Sequence, residues 1–152
     1  MHELHTEIEI NASAEAVWSV LVDFASYGQW NPFIRSISGV ARSGSSLIAR
    51  IQPSGAPGMT FRPRVLAADR PRELRWSGRL IMRGLFDGEH CFAIHALQDG
   101  RARFEQSERF TGILVPLFRA SLDRDTRRGF EEMNLALKER VERLARAAVD
   151  RQ

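Results

Sequence analysis

Between Pro116 and Val149 apolar or compact positions recur at steps of three and four: Phe118, Leu122, Thr126, Phe130, Met133, Leu137, Val141, Leu144 and Ala148. That is the period of one helix face, and the opposite face carries Asp123, Arg127, Glu131, Lys138, Glu142 and other charges. Pro116 suits a first helical turn, where its missing N–H costs nothing. The spacing predicts one long helix, roughly 50 Å at about 1.5 Å per residue. A stripe of that length needs something wide beneath it. Gly129 in mid-stripe predicts a bend or a close approach, because glycine weakens a helix interior.

The rest of the chain changes period. Residues 2–10 alternate, Leu4, Thr6, Ile8 and Ile10 against His5, Glu7 and Glu9, as a half-buried strand does. Asn11 or Ser13 can cap the helix predicted over Ala14–Val22. A second short helix from Asp23 must stop before Pro32, which pushes Asn31 out of the helical region. Strands are predicted over 33–40, 47–51, 59–68, 73–80, 86–97 and 102–111, with Pro53–Gly58 as a loop. Short connections imply antiparallel neighbours, and the alternation is that of a sheet wet on one face. Leu74 and Trp76 oppose Arg75 and Ser77, Phe61 and Val65 oppose Arg62 and Arg64, and Phe104 and Phe110 oppose Arg103 and Arg109. The expected fold is therefore α+β: about seven antiparallel strands curled around a long C-terminal helix, with two short helices after the first strand, in a single domain over 1–152.

Composition fits an ordinary globular chain, with 43% apolar and 27% charged residues. No apolar run is long enough to span a membrane, no signal peptide is evident, and the lone Cys91 allows no internal disulfide, so a reducing cytoplasm is expected. Of 22 basic residues only Lys138 is a lysine. With a net charge of +3, the arginines read as a solvated outer face rather than a nucleic-acid site.

Parity also sorts the candidate chemistry. If Phe92, Ile94, Phe104 and Phe110 face inward, so do Phe86, His90, Gln106 and Glu108, three polar groups within an aromatic wall. Buried polar groups must be paired or wet, so His90, Gln106 and Glu108 are either structural partners or ligand contacts. The Asp99-Gly100 turn leaves the register open. A two-residue loop makes facing positions sum to 199 and conflicts with parity, whereas a three- or five-residue loop or a bulge restores it and brings His90 near Glu108. A polar spot is expected in a wall drawn from Trp30, Phe33, Phe61, Trp76, Phe86, Phe92, Phe104, Phe110, Phe130, Met133 and Leu137. His90 and His95 point to opposite faces of one strand, as do His2 and His5, so neither a metal nor another cofactor is expected. Cys91 is placed outward.

Several local phrases, Ala14–Trp18 with Asp23, Tyr27–Phe33, Gly84–His90, Gln106–Phe110 with Gly112, and Gly129–Asn134, resemble the START/birch-pollen-allergen (SRPBCC) superfamily, in its bacterial polyketide cyclase/dehydrase-like branch. The resemblance covers nearly the whole chain and implies a helix-grip fold with a deep apolar cavity between sheet and helix, and no shared catalytic motif. The first expectation is binding of a hydrophobic small molecule, a lipid, polyketide or aromatic compound. An alternative is a cyclase or dehydratase in which Glu108 or His90 moves a proton, and another is an interaction module. The cavity mouth is expected among Pro53–Gly58, Leu80–Leu85 and Gly112–Val115, where Ile81, Met82, Leu85, Ile113 and Leu114 can instead form a homodimer contact.

Overall fold

The alternation and the stripe become strands and a helix in the computed structural model of the chain, which describes residues 1–80 and 82–152. In chain order the elements are β1 (His2–Ile10), α1 (Ala14–Leu21), a 3-10 turn (Phe24–Ser26), α2 (Tyr27–Trp30), β2 (Ile34–Ser38), β3 (Ile48–Ile51), β4 (Met59–Phe61), β5 (Arg64–Asp69), β6 (Glu73–Leu80), β7 (Phe86–Ala96), β8 (Ala102–Thr111), α3 (Val115–Ser121), a π-helical turn (Leu122–Thr126) and α4 (Arg127–Asp150). All strand pairs are antiparallel, in a five-stranded sheet ordered β1-β8-β7-β6-β5 and a three-stranded sheet ordered β2-β3-β4. No helix among the described residues is long and apolar enough to cross a membrane.

The expected strand over 59–68 is two strands in different sheets. It breaks at Arg62-Pro63, because Pro63 has no N–H to give a ladder and its ring fixes the backbone angle. The two sheets stay joined at this corner through Leu47 N–H to Pro63 O at 2.8 Å and Val65 N–H to Ser45 O at 2.8 Å. Among the described residues this gives eight strands, in keeping with the expected seven or so.

Ser13 caps α1, its Oγ accepting from Ala16 N–H at 3.1 Å, and Val17, Trp18, Val20 and Leu21 are buried. Tyr27, fully buried, donates its hydroxyl to Leu21 O. Burial, and secondarily Asp23, pushes its phenol far above the ordinary range, so it is a fixed donor. Asn31 ends α2 and starts β2 together: its Oδ1 accepts from Phe33 N–H at 2.9 Å and Ile34 N–H at 2.8 Å.

The expected single helix is interrupted. The π-helical turn at Leu122–Thr126 separates α3 from α4, and such a turn shifts the angular position of side chains on either side of it. Phe118 is consequently 45% exposed while Leu122 is buried. In α4 the buried face runs through Phe130, Met133, Leu137 and Val141, with Ala145 packed against the core; Leu144 and Ala148 are exposed. A step of four from Val141 places Ala145, not Leu144, toward the sheet.

Gly129 has a steric reason. A Cβ there would overlap the Phe33 ring, which also packs edge-on to Phe130 with centroids 5.6 Å apart. Gly129→Ala should therefore destabilise by about 1–3 kcal/mol through overpacking, reversing the gain of about 1 kcal/mol that alanine brings to an open helix position. Urea unfolding measures the sign directly; a stabilised variant would show that Phe33 yields freely.

Candidate functional site

The hairpin closes through a three-residue connection, Gln98–Gly100, with Leu97 N–H bonded to Arg101 O at 2.8 Å and Gly100 at φ 79°. That geometry makes facing positions sum to 198: Ala96 opposes Ala102, and His90 opposes Glu108 directly. His90 Nδ1 lies 3.2 Å from Glu108 Oε2, and Nε2 lies 3.1 Å from Gln106 Oε1. The ring sits between Trp76, Phe92 and Phe130, with centroids 5.6, 4.2 and 5.0 Å away.

The polar group extends further than parity on two strands reveals. Gln106 Nε2 donates to Phe130 O at 3.2 Å and to Asn134 Oδ1 at 2.6 Å, and Asn134 Nδ2 donates to Thr6 Oγ1 at 3.0 Å. Thr6, His90, Gln106 and Asn134 are all buried. The chain of bonds joins β1, β7, β8 and α4, so that these buried groups find partners inside the core. Asn134 and Thr6 are the members that sequence reasoning misses. Their signal was present: Asn134 lies four residues after Phe130 and three before Leu137, and Thr6 shares the parity of Leu4 and Ile8.

The network fixes a hydrogen position. Both hydrogens of the Gln106 amide go to acceptors, so its oxygen is the atom that faces His90 and Nε2 of the ring carries a proton. Nδ1 then has only Glu108 Oε2 to bond. A hydrogen bond at this contact takes one further proton, carried by the ring or by the carboxyl.

In front of this network lies a pocket of about 460 Å³. Its walls come from β3, the 53–63 segment, the open ends of β6, β7 and β8, α3 and the π-helical turn. Phe33, Phe61, Trp76, Phe86, Glu108 and Phe110 line it, together with Ala49, Ile51, Met59, Leu80, Phe118 and Leu122, which the sequence did not single out for the wall. Trp30, His90, Phe92, Phe104, Gln106, Phe130, Met133 and Leu137 lie outside the pocket wall. Trp30 packs on Tyr27 with centroids 5.2 Å apart, and His90 and Gln106 stand one layer behind Glu108. The others fill the core, because α4 is pressed against β1 and the inner face of the sheet there, and the pocket lies beyond, lined by α3 and the π-helical turn.

The mouth corresponds in part to the expectation. Pro53, Ala56, Pro57 and Leu80 border the pocket, but Gly112–Val115 does not; α3 takes its place. Val115 is buried, and Ile113 N–H and Leu114 N–H bond Gly84 O and Leu85 O at 3.1 and 3.0 Å. Ile81 falls outside the described residues.

Besides Glu108, the pocket touches Arg79, Ser121, Asp125 and Thr126. Asp125 is already engaged: its hydrogen bond from Arg124 at 2.9 Å holds the carboxyl below its usual range, against an opposing effect of desolvation. Glu108 has a different setting. Its Oε1 fills the notch left by the missing side chain of Gly88, where an added Cβ would come 2.6 Å from it. Among the described residues Oε1 has no hydrogen-bond partner, and the side chain keeps 19% of its surface exposed.

The outer face of the sheet holds further titratable groups. Arg75 pairs with Glu73 at 3.1 Å and Glu89 at 3.4 Å, and Arg103 pairs with Glu105 at 3.1 Å. Cys91 is half-buried there, and burial, then Glu73, pushes its thiol up to about 11, so little thiolate exists near neutral pH. His5, Glu7 and Glu105 bring ligand atoms within 4.8 Å of one another, across strands rather than along one. Glu105 is also held by His95 at 3.2 Å. Burial opposes ionisation of Glu105, but His95 and Arg103 outweigh it and lower its pKa.

The buried network makes a stability prediction. Gln106→Met keeps volume but strands His90 Nε2, Phe130 O and Asn134 Oδ1. Loss of a buried partner costs roughly 1–3 kcal/mol per stranded group, so the variant should lose at least about 2 kcal/mol in chemical denaturation. An unchanged midpoint would show that these groups find other partners.

Structural comparison places the fold among known ones. A START superfamily protein from Mycobacterium smegmatis superimposes with TM-score 0.70 at 23% identity, covering 95% of this chain and 99% of that one. The Zhui aromatase/cyclase from Streptomyces sp. R1128 gives TM-score 0.75 at 19% identity, covering 97% and 98%. Norcoclaurine synthase from Thalictrum flavum, in complex with dopamine and hydroxybenzaldehyde, gives 0.68 at 13% identity, covering 92% and 86%. Comparison with curated proteins found no match. At these identities the likenesses establish the helix-grip START fold. The sequence itself goes further: across residues 1–149 it matches the family described as polyketide cyclase / dehydrase and lipid transport, and the chain belongs to that family.

Proposed function

We propose that this chain, as one domain over 1–152, binds a hydrophobic small molecule of the lipid, polyketide or aromatic kind in the pocket bordered by β3, β6 and α3. The observation that carries the reading is the pocket's wall. Six aromatic side chains, Phe33, Phe61, Trp76, Phe86, Phe110 and Phe118, surround a space of about 460 Å³ with few polar atoms. Tight packing is the rule inside proteins, and an open apolar space of this size with a small number of placed polar groups is the usual form of a ligand site. The family membership and the ligand-bearing relative with the same fold support the reading.

A second reading has a specific observation behind it. The Glu108–His90 pair, backed by Gln106, is oriented as an acid–base pair needs to be: one carboxylate oxygen toward the pocket, the other on an imidazole whose far nitrogen is fixed. In an aromatase/cyclase-like reaction Glu108 Oε1 would take a proton from the folded substrate and return it elsewhere on the same molecule, so that the pair holds the extra proton only in passing. Binding is required in both readings, so it is tested first.

Gly78 faces the pocket from β6, opposite Gly88, and a Cβ there would meet only Pro63 at 3.7 Å, an ordinary contact. Gly78→Leu should fold normally and fill the space. Binding of an apolar, uncharged fluorescent probe such as N-phenyl-1-naphthylamine should weaken at least about tenfold, as the loss of an apolar contact surface implies. Equal binding by variant and wild type would place the probe elsewhere and remove this reading.

A further inference from the structure

The hydrogen positions set by Gln106 determine what kind of polar group the pocket accepts. His90 Nε2–H is committed to Gln106 Oε1, and Nδ1 shares one proton with Glu108 Oε2. If the proton is on the ring, Glu108 is a carboxylate and Oε1 is an acceptor. If the proton is on Oε2, Oε1 is the carbonyl oxygen of the acid and is again an acceptor. Oε1 becomes a donor only when a second proton is added. That leaves Nδ1–H facing the carbonyl oxygen of an uncharged acid, with no anion beside a ring enclosed by Trp76, Phe92 and Phe130.

Resting on the binding reading above, we propose that the molecule this pocket takes is apolar with a hydroxyl or amine hydrogen directed at Glu108 Oε1, and that a carboxylate end at this point is rejected. Oε1 sits in the Gly88 notch, in the pocket wall beside Phe110 and Trp76. Its surroundings are aromatic, so an unmatched group there loses its water without replacement. An alcohol, phenol or amine meets the acceptor with a donor. A carboxylate meets it oxygen to oxygen, with like partial or full charges in contact. Arg79 does not relieve this: it alternates with inward Gly78 and Leu80 on β6 and opposes Asp87 at the rim. Thr6, Asn134 and Gln106 are positioning residues in this account, since they hold the proton on Nε2 and so keep Oε1 an acceptor.

The test uses four probes on one skeleton: 2-ethylnaphthalene, 2-(2-naphthyl)ethanol, 2-(2-naphthyl)ethylamine and 2-naphthylacetic acid. Each is titrated against wild type, Glu108→Met and Glu108→Gln, with circular dichroism confirming the fold of each variant. In wild type the alcohol and amine should bind more tightly, relative to the hydrocarbon, than they do in Glu108→Met, by about tenfold, the scale of one hydrogen bond to an ionic or strongly polar partner. The acid should be the weakest ligand of wild type and should gain relative to the hydrocarbon in Glu108→Met. Glu108→Gln should retain the preference for donors, because its amide hydrogen can serve Nδ1 of neutral His90 while its oxygen takes the place of Oε1. Equal alcohol-to-hydrocarbon ratios in wild type and Glu108→Met, or an acid that binds wild type as well as the alcohol does, would overturn the proposal and leave the binding reading standing. If wild type binds none of the four, the binding reading falls and the proposal falls with it.

Discussion

The 2.6 Å bond from the Gln106 amide to Asn134 joins the sheet to the long helix at the boundary between packed core and open pocket. On one side of it Phe92, Phe104, Phe130, Met133 and Leu137 are fully buried and leave no room. On the other side the π-helical turn and α3 line the pocket together with the aromatic side chains of β6, β7 and β8. A bond between two buried amides has a narrow range of acceptable geometry, and breaking it strands groups on both partners. It therefore fixes where the helix sits on the sheet, and with that the length of the pocket.

The same bond reaches the chemistry. With one amide hydrogen given to Asn134 and the other to Phe130 O, Gln106 can present only oxygen to His90. That assignment passes through the ring to Glu108 and leaves one bare oxygen in the pocket wall. Packing and polarity are thus set by one group of side chains. A substitution at Asn134 or Thr6, neither of which touches the pocket, would be felt at Glu108 through the orientation of Gln106.

Much of this was legible in the sequence, since strand parity is a strict period of two. It placed His90, Gln106 and Glu108 on the inner face and opposed Phe61, Trp76 and Phe110 to the arginines. The helical stripe placed Phe130, Met133, Leu137 and Val141 correctly, and Gly129 marked the approach of Phe33. What failed has a common cause: periodicity describes which face a residue occupies, not how far away the next layer is. Phe92 and Phe61 share the inner face, yet one is core and the other pocket wall. The break at Pro63 was readable, since proline interrupts a ladder. The π-helical turn was not, because one inserted residue hardly disturbs a stripe that steps by three or four. The grouping of His5, Glu7 and Glu105 was missed because it needs cross-strand register, which no single strand carries.

On the proposed reading an apolar molecule sits between the aromatic wall and α3, with its polar end at the Gly88 notch. Intermolecular nuclear Overhauser effects from bound 2-(2-naphthyl)ethanol test it most directly. Contacts are expected from the naphthyl protons to the rings of Phe61, Trp76 and Phe118, and from the methylene beside the hydroxyl to Gly88. Contacts confined to the outer face of the sheet, around Arg62, Arg64 and Arg109, would contradict it.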